Sequence, residues 1–302
     1  IEPELSGVWL MSRFAQALSM SEFVVTSELI PPKGVDLEPL FEKAEALNQV
    51  VTAFNLTESH TAKMSMDPVA VGHLLLDRGV EPIVQMTSRD KNRIAIQASI
   101  LGAAALGISN IVIMGGDSPK NGDHPEAKGV FDLYSSQMLD AASALNGGAD
   151  YMGNPLKGAP AMNIGAVVNP GASDPGAEIE NLHRKIEAGA GFFQSQAVYD
   201  VDALASFLHK ADTDAVILAG IIPIKSVRMA RFMNDKVPGI NIPEALIAEI
   251  EAAGDNPDRL VETSIDIAAR IIRQIRPLVK GVHIMAIGWE DKIPAIIQRA
   301  MD

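Results

Sequence analysis

Short apolar runs recur along this chain, and a polar residue closes each of the first four. Phe23–Glu28 ends on Glu28, Val50–Thr57 on Thr57, Pro82–Thr87 on Thr87 and Ile111–Asp117 on Asp117. The closing residues stand about thirty positions apart, and helical spacing fills each interval. One strand, one crossover helix and two short loops use up that length, so the pattern predicts successive βα units of a parallel sheet. All four polar residues then share one rim, the end of the sheet where βα loops converge.

The intervening segments carry helix signals. Asp36–Leu47 is predicted helical, with Asp36 as cap and Pro39 in the first turn; Asp67-Pro68 opens a helix ending near Gly79, and Asp90–Leu106 makes another that stops at Gly107. Leu133–Leu145 is a fourth. The second half continues with strands at Met162–Val168, Gly191–Gln196, Ala215–Ile222 and Val282–Ile287. Helices are expected at Ala177–Ala188, Asp200–Lys210 and Ser226–Asn234, with two further ones near Pro243–Ala253 and Pro257–Ile275 before the last strand and Glu290–Arg299 after it. Eight strands in this rhythm predict an α/β chain folded as a single (β/α)8 TIM barrel over residues 1–302. Residues 1–20 are expected to form an amphipathic helical extension of the same domain. A doubly wound open sheet is the rival, but its Gly-x-Gly-x-x-Gly turn is missing: Ile30-Pro31-Pro32-Lys33-Gly34 follows the first strand.

Composition narrows the function. With 302 residues, 47% of them hydrophobic, the chain has ample material for one barrel, and no linker or low-complexity tract divides it. A net charge of −13 argues against nucleic acid or an anionic membrane as partner. No cysteine is present, which excludes thiolate metal sites, disulfides and a cysteine nucleophile within the chain. Ile1–Met20 lacks the unbroken apolar core of a signal peptide, and no run is long enough to span a membrane, so a cytoplasmic protein is expected. His60, His73, His124, His183, His209 and His283 show no metal-ligand spacing; no metal is expected. Neither a Gly-x-Ser-x-Gly elbow nor a Walker loop occurs.

The rim residues are the candidates for chemistry. Glu28 sits between Phe23-Val24-Val25 and Leu29-Ile30-Pro31-Pro32. Desolvation there is expected to raise its pKa, as suits a general acid; a salt-bridged rim glutamate is the alternative. Gly115-Gly116 lets the backbone approach a flat ligand, and Asp117 just beyond can accept from the N–H groups of a heterocycle. Thr57 and Thr87 offer hydroxyls or are ordinary strand residues, and Gln85 shares a strand face with Thr87. Gln196 can donate to and accept from an amide or pterin edge, or be satisfied by backbone.

With Ser27-Glu28-Leu29-Ile30-Pro31-Pro32-Lys33, Ile111–Pro119 and Gln194-Ser195-Gln196-Ala197-Val198-Tyr199-Asp200, the chain resembles the methylenetetrahydrofolate reductases from about Glu22 to about Gly288. The resemblance implies a flavin-bearing barrel of one-carbon metabolism and methionine biosynthesis that reduces 5,10-methylenetetrahydrofolate to 5-methyltetrahydrofolate. Hydride would leave reduced flavin N5, with Glu28 as proton donor to folate N10. It implies folate contacts at Glu28, Asp117 and Gln196, with nicotinamide taking the same flavin face in turn. It implies flavin contacts at Thr57, Gln85, Gly115, Gly116, Asp117 and Val130. Glu178, Asn181, Arg184 and Lys185 match the residues around the ribityl and phosphate groups, where two cations suit phosphate oxygens.

Two positions depart from the family pattern. Gln85 stands where many members have histidine, and Gly115 where they have arginine; an aromatic flavin contact is also absent around Val167–Pro170. The cofactor expected is FAD, with FMN open as a looser alternative, and NADH or NADPH as donor. A flavin-free, pterin-dependent methyltransferase barrel remains a competing reading. So does a reductase subunit fed by an electron-transfer partner: Gly281–Glu290 resembles reductases of anaerobes, some of which work with a small zinc-bearing subunit. A homo-oligomer is likewise open.

Overall fold

Val, Ile, Phe and Thr dominate the apolar runs, and β-branched and aromatic side chains suit a pleated, buried surface. The computed structural model describes residues 11–254 and 256–302. Its strands are β1 (Val24–Leu29), β2 (Ala53–Leu56), β3 (Pro82–Thr87), β4 (Asn110–Met114), β5 (Asn163–Val168), β6 (Phe192–Ala197), β7 (Val216–Ile221) and β8 (Gly281–Ile284). They pair in chain order as a closed barrel, and parallel pairing of β1 with β8, from Val24↔Gly281 to Ser27↔Ile284, seals it. The fold is the expected TIM barrel, and the open-sheet rival is excluded.

The helices are α1 (Arg13–Ser19), α2 (Glu38–Leu47), α3 (Pro68–Leu76), α4 (Arg93–Ala105), α5 (Ser135–Asn146), α6 (Pro175–Glu187), α7 (Val201–Ala211), α8 (Val227–Lys236), α9 (Glu244–Ala252), α10 (Pro257–Ile275) and α11 (Ile293–Met301). α9 and α10 are the extra pair before β8. Asp67, Asp174 and Asp200 cap their helices by accepting from Val69 N, Ala177 N and Ala203 N, at 2.7, 3.0 and 2.9 Å. Two starts differ from the pattern. Asp36 stands one residue before the cap position of α2, which is Leu37, yet its Oδ1 accepts from Glu38 N at 3.3 Å. Helix α4 starts at Arg93, not Asp90, because Asn92 accepts from Ile94 N and Ala95 N while Asp90 is turned to Arg89. Of the predicted extension over residues 1–20, Arg13–Ser19 is helical and residues 1–10 lie outside the described set.

Inside the barrel, every second residue of each strand points to the axis. The lower layer is apolar: Val24, Ala53, Ile83, Val112, Phe192 and Leu218 pack together, and Phe14 of α1 plugs the bottom. The Phe14 and Phe192 rings meet edge to face, 5.0 Å between centroids at 79°. Gly165 in β5 makes room for them, since a Cβ there would overlap the Phe192 ring. One layer up, Asn55 and Gln194 join β2 to β6 across the interior. Asn55 Nδ2 donates to Gln194 Oε1 at 2.6 Å and Gln194 Nε2 donates back to Asn55 Oδ1 at 2.9 Å. Above this amide pair polar side chains enter the interior, with Met114 and Met285 among them. Among the described residues no helix is long and apolar enough to cross a membrane.

Candidate functional site

Alternation along β1 sends Val24, Thr26 and Glu28 toward the axis, so Glu28 emerges at the rim with only 18% of its side chain exposed. Its Oε1 accepts from Gln85 Nε2 at 3.2 Å and lies 3.8 Å from His283 Nε2. The other ring nitrogen, His283 Nδ1, is 3.0 Å from Thr26 Oγ1, which fixes the imidazole. Burial pushes the Glu28 pKa up, but the neighbouring His283 imidazole, the His60 charge and the Gln85 amide together outweigh it. The net direction is downward. The expected raised pKa is therefore corrected: the sequence reading counted the apolar neighbours and not the imidazole that barrel closure brings beside the carboxylate.

Glu28 stands in the wall of a cavity of about 640 Å³ at the C-terminal ends of the strands. Thr57, Gln85, Thr87, Gly115, Gly116 and Asp117 line it too, so the four polar tips share one hollow. They differ in state. Thr57 Oγ1 is buried without a hydrogen-bond partner, whereas Thr87 Oγ1 donates to Glu58 Oε2 at 2.8 Å. Asp117 does not close β4; the strand ends at Met114, and Asp117 stands exposed on the loop beyond Gly116, whose φ is +86°. Nothing lies within 4 Å of a Cβ built at Gly115, so this wall is bare backbone.

The opposite wall comes from β5, α6 and β6. Glu178 and Asn181 line it, with Asn181 Nδ2 donating to Glu178 Oε2 at 3.2 Å and Asn169 N donating to Glu178 Oε1 at 2.8 Å. Asn169 Oδ1 is buried and unpartnered. Lys185 is buried with Nζ donating to Val167 O at 2.6 Å, and its pKa is lowered by burial and Arg184 against the opposing pull of Glu178. Arg184 is exposed and absent from the lining, because adjacent helical residues point about 100° apart. Val130 is exposed and also outside the lining, its N donating to Arg89 O at 2.7 Å. Gln196 lines the cavity where β6 shifts register against β7, with Oε1 accepting from Ala197 N at 3.0 Å.

Three lining residues escaped the sequence reading. His283 was weighed only as a metal ligand; its signal was its place in the last strand, which a closed barrel must lay beside β1. Glu58 follows Thr57 and accepts from Thr87 N at 2.6 Å while pairing with Lys91. Arg89, 3% exposed, donates to Ser59 O and Glu58 O at 3.3 and 3.4 Å and pairs with Asp90. No local pattern marks these two, since loop packing across β2 and β3 creates their roles. Among the described residues no group of three His, Cys, Asp or Glu is placed to hold a metal. The bare glycine wall, the orphaned Thr57 hydroxyl and Asn169 carbonyl, and the Glu178–Asn181–Lys185 row fit a flat heterocycle with a hydroxylated tail.

Residues 13–301 match the model of the family described as methylenetetrahydrofolate reductase. Similar proteins include methylenetetrahydrofolate reductase 2 of Schizosaccharomyces pombe, 24% identical over 228 residues, 72% of this chain and 35% of that protein. The 5,10-methylenetetrahydrofolate reductase of Salmonella typhimurium is 24% identical over 281 residues, 90% of this chain and 88% of its own. This chain spans only 35%, 43% and 50% of the fission yeast, Arabidopsis thaliana and Oryza sativa relatives. Among solved structures, a Clostridium thermocellum protein described as binding two copies of 5-methyl-5,6,7,8-tetrahydrofolic acid shares the fold, with TM-score 0.60, 17% identity and coverage of 94% of this chain and 96% of that one.

Proposed function

Since the chain belongs to the methylenetetrahydrofolate reductase family, we propose that it reduces the methylene group of 5,10-methylenetetrahydrofolate to a methyl group, with a flavin held in the rim cavity. The observation that carries this reading is the Glu28–Gln85–His283 constellation facing the bare Gly115-Gly116 wall across one hollow. A bound reduced flavin would supply the hydride, which no side chain of this protein can provide. FAD is the cofactor favoured, with FMN the alternative. Thr57, Gln85, Gly115, Gly116 and Asp117 would hold its ring end, and Glu178, Asn181 and Lys185 its tail. Lys185 would exchange Val167 O for an anionic oxygen; Arg184 and Val130, both outside the lining, would touch only a portion extending beyond it.

Glu28, Asp117 and Gln196 would orient the folate: Asp117 accepts from a pterin edge, and the Gln196 amide offers Nε2 while its Oε1 is held by Ala197 N. Glu28 is the proton donor in this reading. With its pKa lowered, it is a carboxylate in the open site and must gain its proton as substrate binds. Covering the mouth removes water and strengthens the burial effect that already pushes its pKa up. His283 is placed to manage that proton. When Thr26 donates to Nδ1, the ring proton sits on Nε2, facing the Glu28 carboxylate.

The test begins with the absorbance of freshly purified protein, where a bound flavin shows itself in the blue and near ultraviolet. Anaerobic mixing with NADH or NADPH, then with methylenetetrahydrofolate, should bleach and restore that absorbance. A colourless protein that still consumes a methyl-pterin would favour the methyltransferase reading. A flavin reduced by dithionite but by neither nicotinamide would favour a partner protein as electron source.

A further inference from the structure

Glu28 is a carboxylate in the open site and gives up a proton in every turnover of the proposed reaction, so a proton must reach it each time. No path leads from below. Apolar side chains from Val24 to Leu218 fill the barrel under the amide pair, and Phe14 closes its end. His283, 3% exposed, has one ring nitrogen against Thr26 Oγ1 and the other facing Glu28. It can hold a proton but is too enclosed to import one. From above, the ring systems that react would themselves cover the mouth.

The side wall offers a way in. A second hollow, of about 580 Å³, opens on the same rim between the loops that follow β1, β2 and β4. Ile30, Met64 and Lys63 in its lining are exposed, so it stands open to water. His60 and Thr61 belong to the walls of both hollows. Of the two only His60 titrates, and imidazole is the side chain that both takes and gives a proton near neutrality. His60 is half-buried, and its charge reaches Glu28 as one of the influences that hold that carboxyl down.

The other charged groups on these walls are engaged elsewhere. Glu58 accepts from Thr87 and pairs with Lys91, Arg89 pairs with Asp90, and Asp117 stands on the loop beyond Gly116. In the second hollow Lys33 pairs with Asp123, which also accepts from His124 Nδ1 at 2.9 Å, and His124 lines neither hollow. The backbone holds His60 in the partition. Ser59, Thr61 and Ala62 have φ of 48°, 51° and 58°, a region that side chains avoid and that persists only where the surroundings impose it. Arg89 imposes it from one side, donating to Ser59 O and Glu58 O at 3.3 and 3.4 Å. Gly122 does so from the other, lying so close that any Cβ there would overlap the Ala62 carbonyl.

We propose that His60 is the proton-entry residue of this site, carrying a proton from the second hollow to Glu28 while the main cavity is covered. The proton leaves the imidazolium for a Glu28 carboxylate oxygen, and the neutral ring is recharged by solvent on its other side. The inference rests on the reading of Glu28 as proton donor in a cavity that holds flavin and folate.

The experiment follows the two half-reactions of the intact, flavin-loaded protein separately by stopped flow, in wild type, His60→Ala and His60→Gln. Reduction of the flavin by NADH or NADPH needs no proton from Glu28 and should keep its wild-type rate in both variants. Reoxidation by methylenetetrahydrofolate should slow about 100-fold. Added imidazole should restore much of that rate to His60→Ala and none to His60→Gln, whose side chain fills the space. Wild-type reoxidation in both variants would overturn the proposal. Slow reoxidation of His60→Ala that imidazole does not restore, or equal slowing of both half-reactions, would overturn it in favour of a packing role. Failure of methylenetetrahydrofolate to reoxidise the wild type would instead remove the reading of the main cavity, and the proton path with it.

Discussion

His283 bears directly on the charge state of Glu28. Burial is the largest influence on that carboxyl and pushes its pKa up; His283 leads the opposing influences, with His60 and Gln85 beside it, and the net direction is downward. In His283→Ala the limb of the kcat/KM profile that reports Glu28 should therefore move to higher pH, while in Glu28→Gln that limb should vanish. Glu28→Gln should still take up flavin and accept electrons; full turnover of methylenetetrahydrofolate by this variant would remove Glu28 from the mechanism. Linkage gives an independent readout. A carboxyl whose pKa is depressed on folding adds stability above its unfolded value, about 4.3, and loses it as pH falls through the lower folded value. Urea midpoints of wild type should drop faster than those of Glu28→Gln over that acid interval. Glu28 was legible as a candidate because an acid among apolar residues is conspicuous in a sequence. Its partner was not, since Glu28 and His283 lie 255 positions apart and only closure of β8 on β1 makes them neighbours.

At the scale of the element, the strands were read within a few residues of their observed ends, because β-branched runs between turn signals leave little freedom. Helix starts were less legible. Asp36 and Asn92 are both good caps in isolation, and only the chain path chooses: Leu37 takes the cap position of α2, while Asn92 displaces Asp90 from that of α4. The placement of Arg184 fails for a related reason. A motif read as a string treats Arg184 and Lys185 alike, but the helix turns one to solvent and the other beneath Val167. Within β5, Gly165 is held to glycine by the Phe192 ring rather than by its backbone angles. Gly165→Ala should cost roughly 1–3 kcal/mol of unfolding free energy through overpacking, read from chemical denaturation, and Phe192→Leu should recover part of it.

Over the whole molecule, stability and chemistry occupy opposite ends of the barrel. The lower end is closed by Phe14 against Phe192; the upper end holds every titratable residue of the site, with the Asn55–Gln194 pair between. Phe14→Ala should lower stability by about 3–5 kcal/mol and leave the affinity of the rim cavity for its ligands unchanged, a separation that thermal denaturation and titration would check side by side.

Gly115 offers a practical consequence. It sits at the brink of the cavity with open space where a Cβ would stand, its φ is not in the left-handed region, and the sequence contains no sulfhydryl of its own. Gly115→Cys would give the molecule a unique thiol there. An environment-sensitive dye attached to it would signal occupancy of the hollow in real time, even for ligands with no colour.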